Sequence, residues 1–193
     1  DVFWSAIIRP HVAIEHNLRE GFSGMDKQGR PCYYFTPHPS VARKMMELPG
    51  STFKEFVTWH IAVTELGRWG GKFTKTDRGV AVVDMAHINV SAVREVKQMS
   101  IIREWSLIDQ QYCPESLDHI YVINVPFSIR VIWSVVSLIL DEQLRSKVQF
   151  LKKNEELYKY IDRSVVPKSV LPDAEGPDDY QTVGQILQNF REG

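Results

Sequence analysis

Two short apolar runs, Val80-Ala81-Val82-Val83 and His119 to Val125 (HIYVINV), constrain this chain more than any other feature. Neither shows the alternation of a strand with one wet face, so both are expected to be strands covered on both sides. Such strands belong to parallel sheets, and parallel neighbours need a crossover of about a dozen residues or more. The interval between the runs supplies it: from Ser91 to about Tyr112, Val93, Val96, Ile101, Ile102, Trp105 and Ile108 recur at helical spacing until Pro114 stops the pattern. Val80–Val83 ends at Asp84, and polar groups just past a parallel strand often sit at a ligand crevice. For Asp84 and His87 the plainer reading, a turn cap and a local hydrogen bond, is preferred.

The same alternation extends in both directions and predicts an α/β fold with a mixed, largely parallel sheet. Upstream, Asp26-Lys27-Gln28-Gly29 reads as a tight turn delivering Arg30-Pro31 into a short aromatic strand, Cys32 to Phe35, which Pro37 and Pro39 end. A proline at the first strand position points to the sheet edge. From Thr52 to about Gly67 a helix is expected, with Thr52 and Glu55 as a capping box and Phe53, Val57, Ile61 and Leu66 facing inward. Downstream, Pro126 opens an apolar helix from Phe127 to Leu140. Lys147 to Leu151 is a third strand, a short helix runs through Tyr158, and after a stretch from Leu171 rich in Pro, Asp and Gly a last helix spans Val183 to Phe190 within a C-terminal tail (177–193).

Composition narrows the function classes. With 193 residues, 44% hydrophobic and 24% charged, the chain is expected to form a single domain with a substantial core. A formal net charge of -1 gives no general drive toward nucleic acid. Cys32 and Cys113 lack metal spacing and are expected to be free thiols in a reducing, cytoplasmic setting. Asp1-Val2-Phe3-Trp4 has no secretory pattern, and the chain reads as beginning inside a longer protein. Phe127–Leu140 falls short of the roughly 20 residues of a bilayer span and carries Arg130, so it can touch a membrane but not cross one.

Gly67 to Thr74 (GRWGGKFT) misses the glycine spacing of a phosphate loop and has Phe73 where Ser or Thr is required. No GxSxG elbow occurs. The histidines at 11, 16, 38, 60, 87 and 119 form neither HExxH nor a zinc pattern with cysteine. The expectation is a protein without enzymatic activity, catalytic residues, metal or cofactor.

The stretch Tyr112-Cys113-Pro114-Glu115 leading into His119–Pro126 resembles the CRAL-TRIO family of lipid-binding domains. Further matches are Asp26–Pro31 (DKQGRP), Val82-Val83-Asp84 and Leu140–Leu151 (LDEQLRSKVQFL), so the likeness runs from about Gly21 to Gly176. It implies a sheet flooring an apolar pocket, outer helices, and a gating helix here matched by Phe127, Ile129, Val131, Ile132, Trp133, Val135, Val136, Leu138 and Ile139. Ten apolar side chains between Phe127 and Leu140 are more than one buried face needs, which agrees with a gate. Trp133, Ile132 and Leu138 are its expected membrane contacts. Ala81, Val83, Cys113, Tyr121 and Ile123 would line the pocket.

The resemblance further implies that Glu115 and Lys147 hold a phosphatidylinositol headgroup, a carboxylate accepting from inositol hydroxyls and an ammonium facing the phosphate. The hydroxyl side chains that phosphatidylcholine binders carry would fall near Gly79, Ala81 and Cys113 and are absent, which leaves a sterol or other apolar second ligand open. The family's N-terminal helical lobe is largely missing, and its double glycine is replaced by Glu175-Gly176-Pro177. The expected protein is a cytoplasmic, peripherally membrane-associated monomer that transfers or presents one phospholipid. The alternative is a regulatory or scaffold module of the same fold inside a larger protein.

Overall fold

A computed structural model describes residues 19–38, 58–66, 78–88, 103, 106–111 and 115–192. Six strands form one sheet: β1 (Arg19–Met25), β2 (Pro31–Thr36), β3 (Gly79–Asp84), β4 (Leu117–Ile123), β5 (Val148–Phe150) and β6 (Gln181–Thr182), in the spatial order β5-β4-β3-β2-β1-β6. The pairs β2–β3, β3–β4 and β4–β5 are parallel, whereas β1 is antiparallel to both β2 and β6. The sheet is thus mixed and largely parallel, as the sequence predicts.

The aromatic strand is not at the edge, because β1 and β6 lie outside it. Pro31 is tolerated there for another reason: it opposes Met25 across a bulge that follows Phe22, where the ladder is already interrupted. Sequence reasoning missed β1 because Gly21 and Gly24 dilute its apolar character. Both glycines are required: a Cβ on Gly21 would run into the Gln181 carbonyl and Tyr180 ring, and Gly24 has φ +53° against Val165. The turn into β2 is as expected. Gly29 N–H donates to the Asp26 carbonyl (3.0 Å) at φ +79°, and Gln28 N–H donates to Asp26 Oδ1 (2.9 Å).

Helix boundaries need revision. The apolar helix, α1 (Ile129–Val136), is eight residues long and gives way to turns at residues 137–139. Asp141 then caps a second helix, α2 (Glu142–Lys147), by accepting from Leu144 N–H at 2.8 Å. Lys147 therefore ends a helix and does not begin β5. Strand β4 starts two residues before His119 and stops at Ile123, since Asn124 turns away with φ +50°. The expected helix through Tyr158 is a 3-10 helix, Asn154–Lys159, and the last helix, α3, runs Val183–Glu192.

Residues 58–66 and 106–111 are helical. The first buries Trp59, Ala62, Val63 and Leu66, with Ile61 only half-buried; the second buries Ser106 and Ile108. Thr52, Phe53, Glu55, Val57, Val93, Val96, Ile101, Ile102, Trp105, Pro114 and the Gly67–Thr74 loop lie outside the described residues.

Register divides the sheet into two faces. Tyr34, Val82 and Tyr121 lie side by side, as do Tyr33, Ala81 and Ile120, and neighbours along each strand point to opposite sides. One face, with Cys32, Tyr34, Val80, Val82, Tyr121 and Ile123, packs on Leu151, Leu157, Ile161, Val166, Val170, Leu171, Ala174 and Tyr180 from the C-terminal segment. It is filled. The other face carries Tyr33, Phe35, Ala81, Val83, Ile120, Val122, Val148 and Phe150.

Candidate lipid-binding site

Ala81 and Val122 are buried on that second face, but Tyr33, Phe35, Val83, Ile120, Val148 and Phe150 are only half-buried. An apolar floor left half-covered is unlike the fully packed face behind it, and it offers contact area to an apolar guest. Helix α1 crosses its far end: Trp133 meets Phe150 edge-on with ring centroids 5.1 Å apart, and Ile132 is 4% exposed. The opposite side of the segment bears Phe127 (108% exposed), Val131 (54%), Val135 (38%) and Leu138 (82%).

The expected pocket lining is therefore corrected. Ala81 and Val83 do face this floor, whereas Tyr121 and Ile123, at 1% and 0% exposure, point into the filled core. Burial there pushes the Tyr121 hydroxyl up to about 12. Cys113 lies outside the described residues, and Cys32 is a buried free thiol on the filled face. The expected membrane contacts are corrected likewise. Leu138 projects outward, Ile132 is internal, and Trp133 is half-buried against Phe150. Ile129, Val136 and Ile139 are half-buried.

Beyond the start of β4, a polar cleft of about 310 Å³ is lined by Asp109, Gln110, Ser116, Leu117, Asp141, Gln143, Leu144 and Lys147. It shares Asp109, Ser116 and Leu117 with a smaller hollow of about 80 Å³ that reaches Phe22, Tyr33, His60, Val63 and Thr64. Tyr33 connects this hollow to the apolar floor. Lys147 lines this cleft. Glu115 is not among the described lining residues: its exposed carboxylate accepts from Arg78 Nη2, while its neighbours Ser116 and Leu117 line the cleft. Sequence reasoning missed Asp109, Gln110, Ser116, Asp141 and Gln143. Asp141 left a signal, an acidic residue just ahead of a helix-forming stretch.

The walls are held by buried polar contacts. Glu20 accepts from the Tyr33 hydroxyl and from Trp59 Nε1, tying β1 and β2 to the helical residues 58–66. Burial pushes its carboxyl up, against those two hydrogen bonds. His60 Nε2 lies 2.8 Å from Asp109 Oδ1. At the entry to β2, buried Arg30 bonds Asp26 through Nη2 at 2.6 Å and Nε at 2.8 Å, and pairs with Asp118. Despite the opposing effect of burial, Arg30, His119 and Arg78 hold Asp118 below the usual carboxylate range.

Asp84 and His87 follow the plainer reading in part. Asp84 Oδ1 accepts from Ala86 N–H (2.9 Å) and from Asn124 Nδ2 (2.7 Å), and exposed His87 lies beside His38 with ring centroids 5.6 Å apart. Among the described residues no group of three or more His, Cys, Asp or Glu is placed to hold a metal, and no helix is long and apolar enough to cross a membrane.

The sequence model of the CRAL/TRIO domain family matches residues 16–170. The chain is similar to "Phosphatidylinositol/phosphatidylcholine transfer protein SFH9" of Arabidopsis thaliana, 27% identical over 168 residues, covering 80% of this chain and 28% of that protein. It is also similar to "SEC14 cytosolic factor" of Candida glabrata, 27% identical over 151 residues, covering 74% of this chain and 49% of that protein. The chain thus spans half or less of these relatives. The crystal structure of Sfh5 superposes with a TM-score of 0.63 at 16% identity, covering 89% of this chain and 63% of that one, a likeness of fold.

Proposed function

The chain belongs to the CRAL/TRIO domain family, and from that premise we propose that it holds one phospholipid, phosphatidylinositol, with acyl chains on the half-covered apolar face and headgroup at the Lys147 cleft. The observation that carries this reading is the contrast between the two sheet faces. One is packed to closure by the C-terminal segment, and the other leaves six large apolar side chains half-covered. The Arabidopsis thaliana relative is a phosphatidylinositol/phosphatidylcholine transfer protein by name, which supports the same class of ligand.

The chemistry is partition, not catalysis. A phospholipid with about thirty acyl methylenes costs on the order of 25 kcal/mol to expose to water at ~0.8 kcal/mol each. An apolar floor under a lid replaces that exposure with an exchange between two oily environments. The headgroup then decides which lipid is held, since a hydrogen bond to a charged group contributes ~1.5–3 kcal/mol. Lys147 supplies the ammonium for a phosphodiester. Glu115 serves the headgroup only if Arg78 releases it. The outward stripe of Phe127, Val131, Val135 and Leu138 meets the bilayer while the lipid is exchanged.

Transfer of fluorescent phosphatidylinositol between vesicles tests this reading. Lys147→Ala is expected to cut transfer by roughly tenfold or more, the equivalent of one charge-assisted contact. Undiminished transfer by this variant, or none by the unaltered chain, counts against the assignment.

A further inference from the structure

The apolar stripe on α1 does not stand alone. Phe127, Arg130, Val131, Ser134, Val135 and Leu138 are all exposed and recur three and four residues apart, so Arg130 shares the outward side of this helix with the apolar residues. Two more cations reach the same place from elsewhere in the chain. Asn124 follows β4, Asn154 follows Lys152-Lys153, and the two asparagines bind each other: Asn124 N–H donates to Asn154 Oδ1 at 2.9 Å, and Asn154 Nδ2 donates to Asn124 Oδ1 at 2.6 Å. Exposed Lys152 and Lys153 are thereby held at the end of the sheet from which Phe127, a short step beyond Asn124, projects. From Lys147 to Lys152 the chain is largely extended as β5, a rise of about 16 Å, so this surface is separate from the Lys147 cleft.

The two ends of the sheet treat their cations differently. At the starts of β2 and β3, Lys27 pairs with Asp162 at 3.3 Å, Arg30 with Asp26 at 2.6 Å, and Arg78 with Glu115. Among the described residues Arg130, Lys152 and Lys153 form no ion pair. The carboxylates nearby are engaged or lead away. Asp84 accepts from Ala86 N–H and Asn124 Nδ2. Glu155 and Glu156 open the 3-10 helix, which runs along the filled face through Leu157 to Tyr160, whose carbonyl accepts from Lys27 N–H at the opposite end. From Pro126 to Lys153 five cations stand against Asp141 and Glu142, in a chain whose net charge is -1.

Resting on the reading above for the membrane contact of α1, we infer that Arg130, Lys152 and Lys153 make that contact selective for bilayers bearing anionic lipid. Phe127 enters the boundary between headgroups and acyl chains, and the three cations around it meet the negative surface. A bilayer suits this arrangement better than an acidic protein does, because the apolar residues form one long outward stripe with the cations at its edge. Each cation close to an anionic leaflet strengthens binding about fivefold, so three acting together give roughly 100-fold at most.

The test is sedimentation with sucrose-loaded vesicles that contain no phosphatidylinositol, either phosphatidylcholine alone or phosphatidylcholine with about one-fifth phosphatidylserine, at about 0.1 M salt. The unaltered chain is expected to favour the phosphatidylserine vesicles by about twentyfold or more, and to lose that preference at about 1 M salt, where the Debye length falls to about 3 Å. Arg130→Gln with Lys152→Gln and Lys153→Gln is expected to bring the preference within about threefold, with an unchanged melting temperature because all three side chains are exposed. Lys159→Gln with Lys168→Gln, which removes charge from the C-terminal segment instead, is expected to leave it intact. Equal binding of the unaltered chain to both vesicles, binding to neither, a preference kept by the triple variant, or one lost equally in the control pair each overturns the inference. Uptake of phosphatidylinositol, read at equilibrium by mass spectrometry, is expected to survive in the triple variant. Its failure in the unaltered chain overturns the lipid-holding reading and leaves the surface preference to be judged by sedimentation.

Discussion

Replacing Phe127 and Leu138 together by serine isolates the membrane contact from the fold. Both side chains stand in solvent, at 108% and 82% exposure, so they contribute little to packing. Fully burying a side chain of this size is worth ~1.5–3 kcal/mol, or ~3–6 kcal/mol for the pair. A helix lying in the headgroup region embeds only its apolar side, so about half of that, ~1.5–3 kcal/mol, is expected as lost affinity. At ~1.4 kcal/mol per tenfold this is roughly 10- to 150-fold. Sedimentation with sucrose-loaded vesicles of phosphatidylcholine and phosphatidylinositol reads the partition coefficient, and a thermal scan reads the fold. Exposed substitutions usually stay within about 0.5 kcal/mol of stability, so the melting temperature should barely move. Partitioning within about threefold of the unaltered chain, with the fold intact, would refute the assignment of this surface to the membrane.

Three further outcomes follow from the packing. Ile132→Asp places a charge where the side chain is 4% exposed, so it should destabilise the α1 region and lower the thermal midpoint, unlike the serine pair. Gly176→Ala puts a Cβ against the backbone of Val165 and Val166, where no flexible side chain can yield. A cost of ~1–3 kcal/mol is expected, roughly 2–12 °C in melting temperature. Asp118 is held below its ordinary value near 3.8 by Arg30, so its contribution is fully present above that value and is lost as pH falls through the lower folded-state value. Asp118→Asn should therefore lower the urea midpoint at neutral pH and flatten its fall between about pH 6 and pH 2; an unchanged acid limb would count against the pairing.

What the sequence revealed, and what it withheld, follows physical lines. Val80–Val83 and the apolar part of His119–Val125 announced buried parallel strands because continuous apolar runs have few other homes. The Asp26–Gly29 turn was legible because each residue has a local reason to be there. β1 was hidden, since Gly21 and Gly24 answer to Gln181 and Val165, residues far away in the chain. The lining error at Tyr121 and Ile123 has the same origin. Alternation along one strand says that Ala81 and Val83 share a face, but only the pairing of Val82 with Tyr121 reveals which residues of β4 join them. The fourteen-residue apolar stretch gave the position of α1 but not its length, because the Asp141 cap begins a new helix soon after the turns. Lys147 was singled out through resemblance, whereas Asp109 and Asp141 came beside it only where distant segments converge on one cleft.

Native mass spectrometry of the purified chain after exposure to phosphatidylinositol vesicles bears most directly on the half-covered face. The account predicts a single added mass equal to one phosphatidylinositol, lost on solvent extraction. A folded chain that emerges bare from such vesicles at every concentration tried would contradict it.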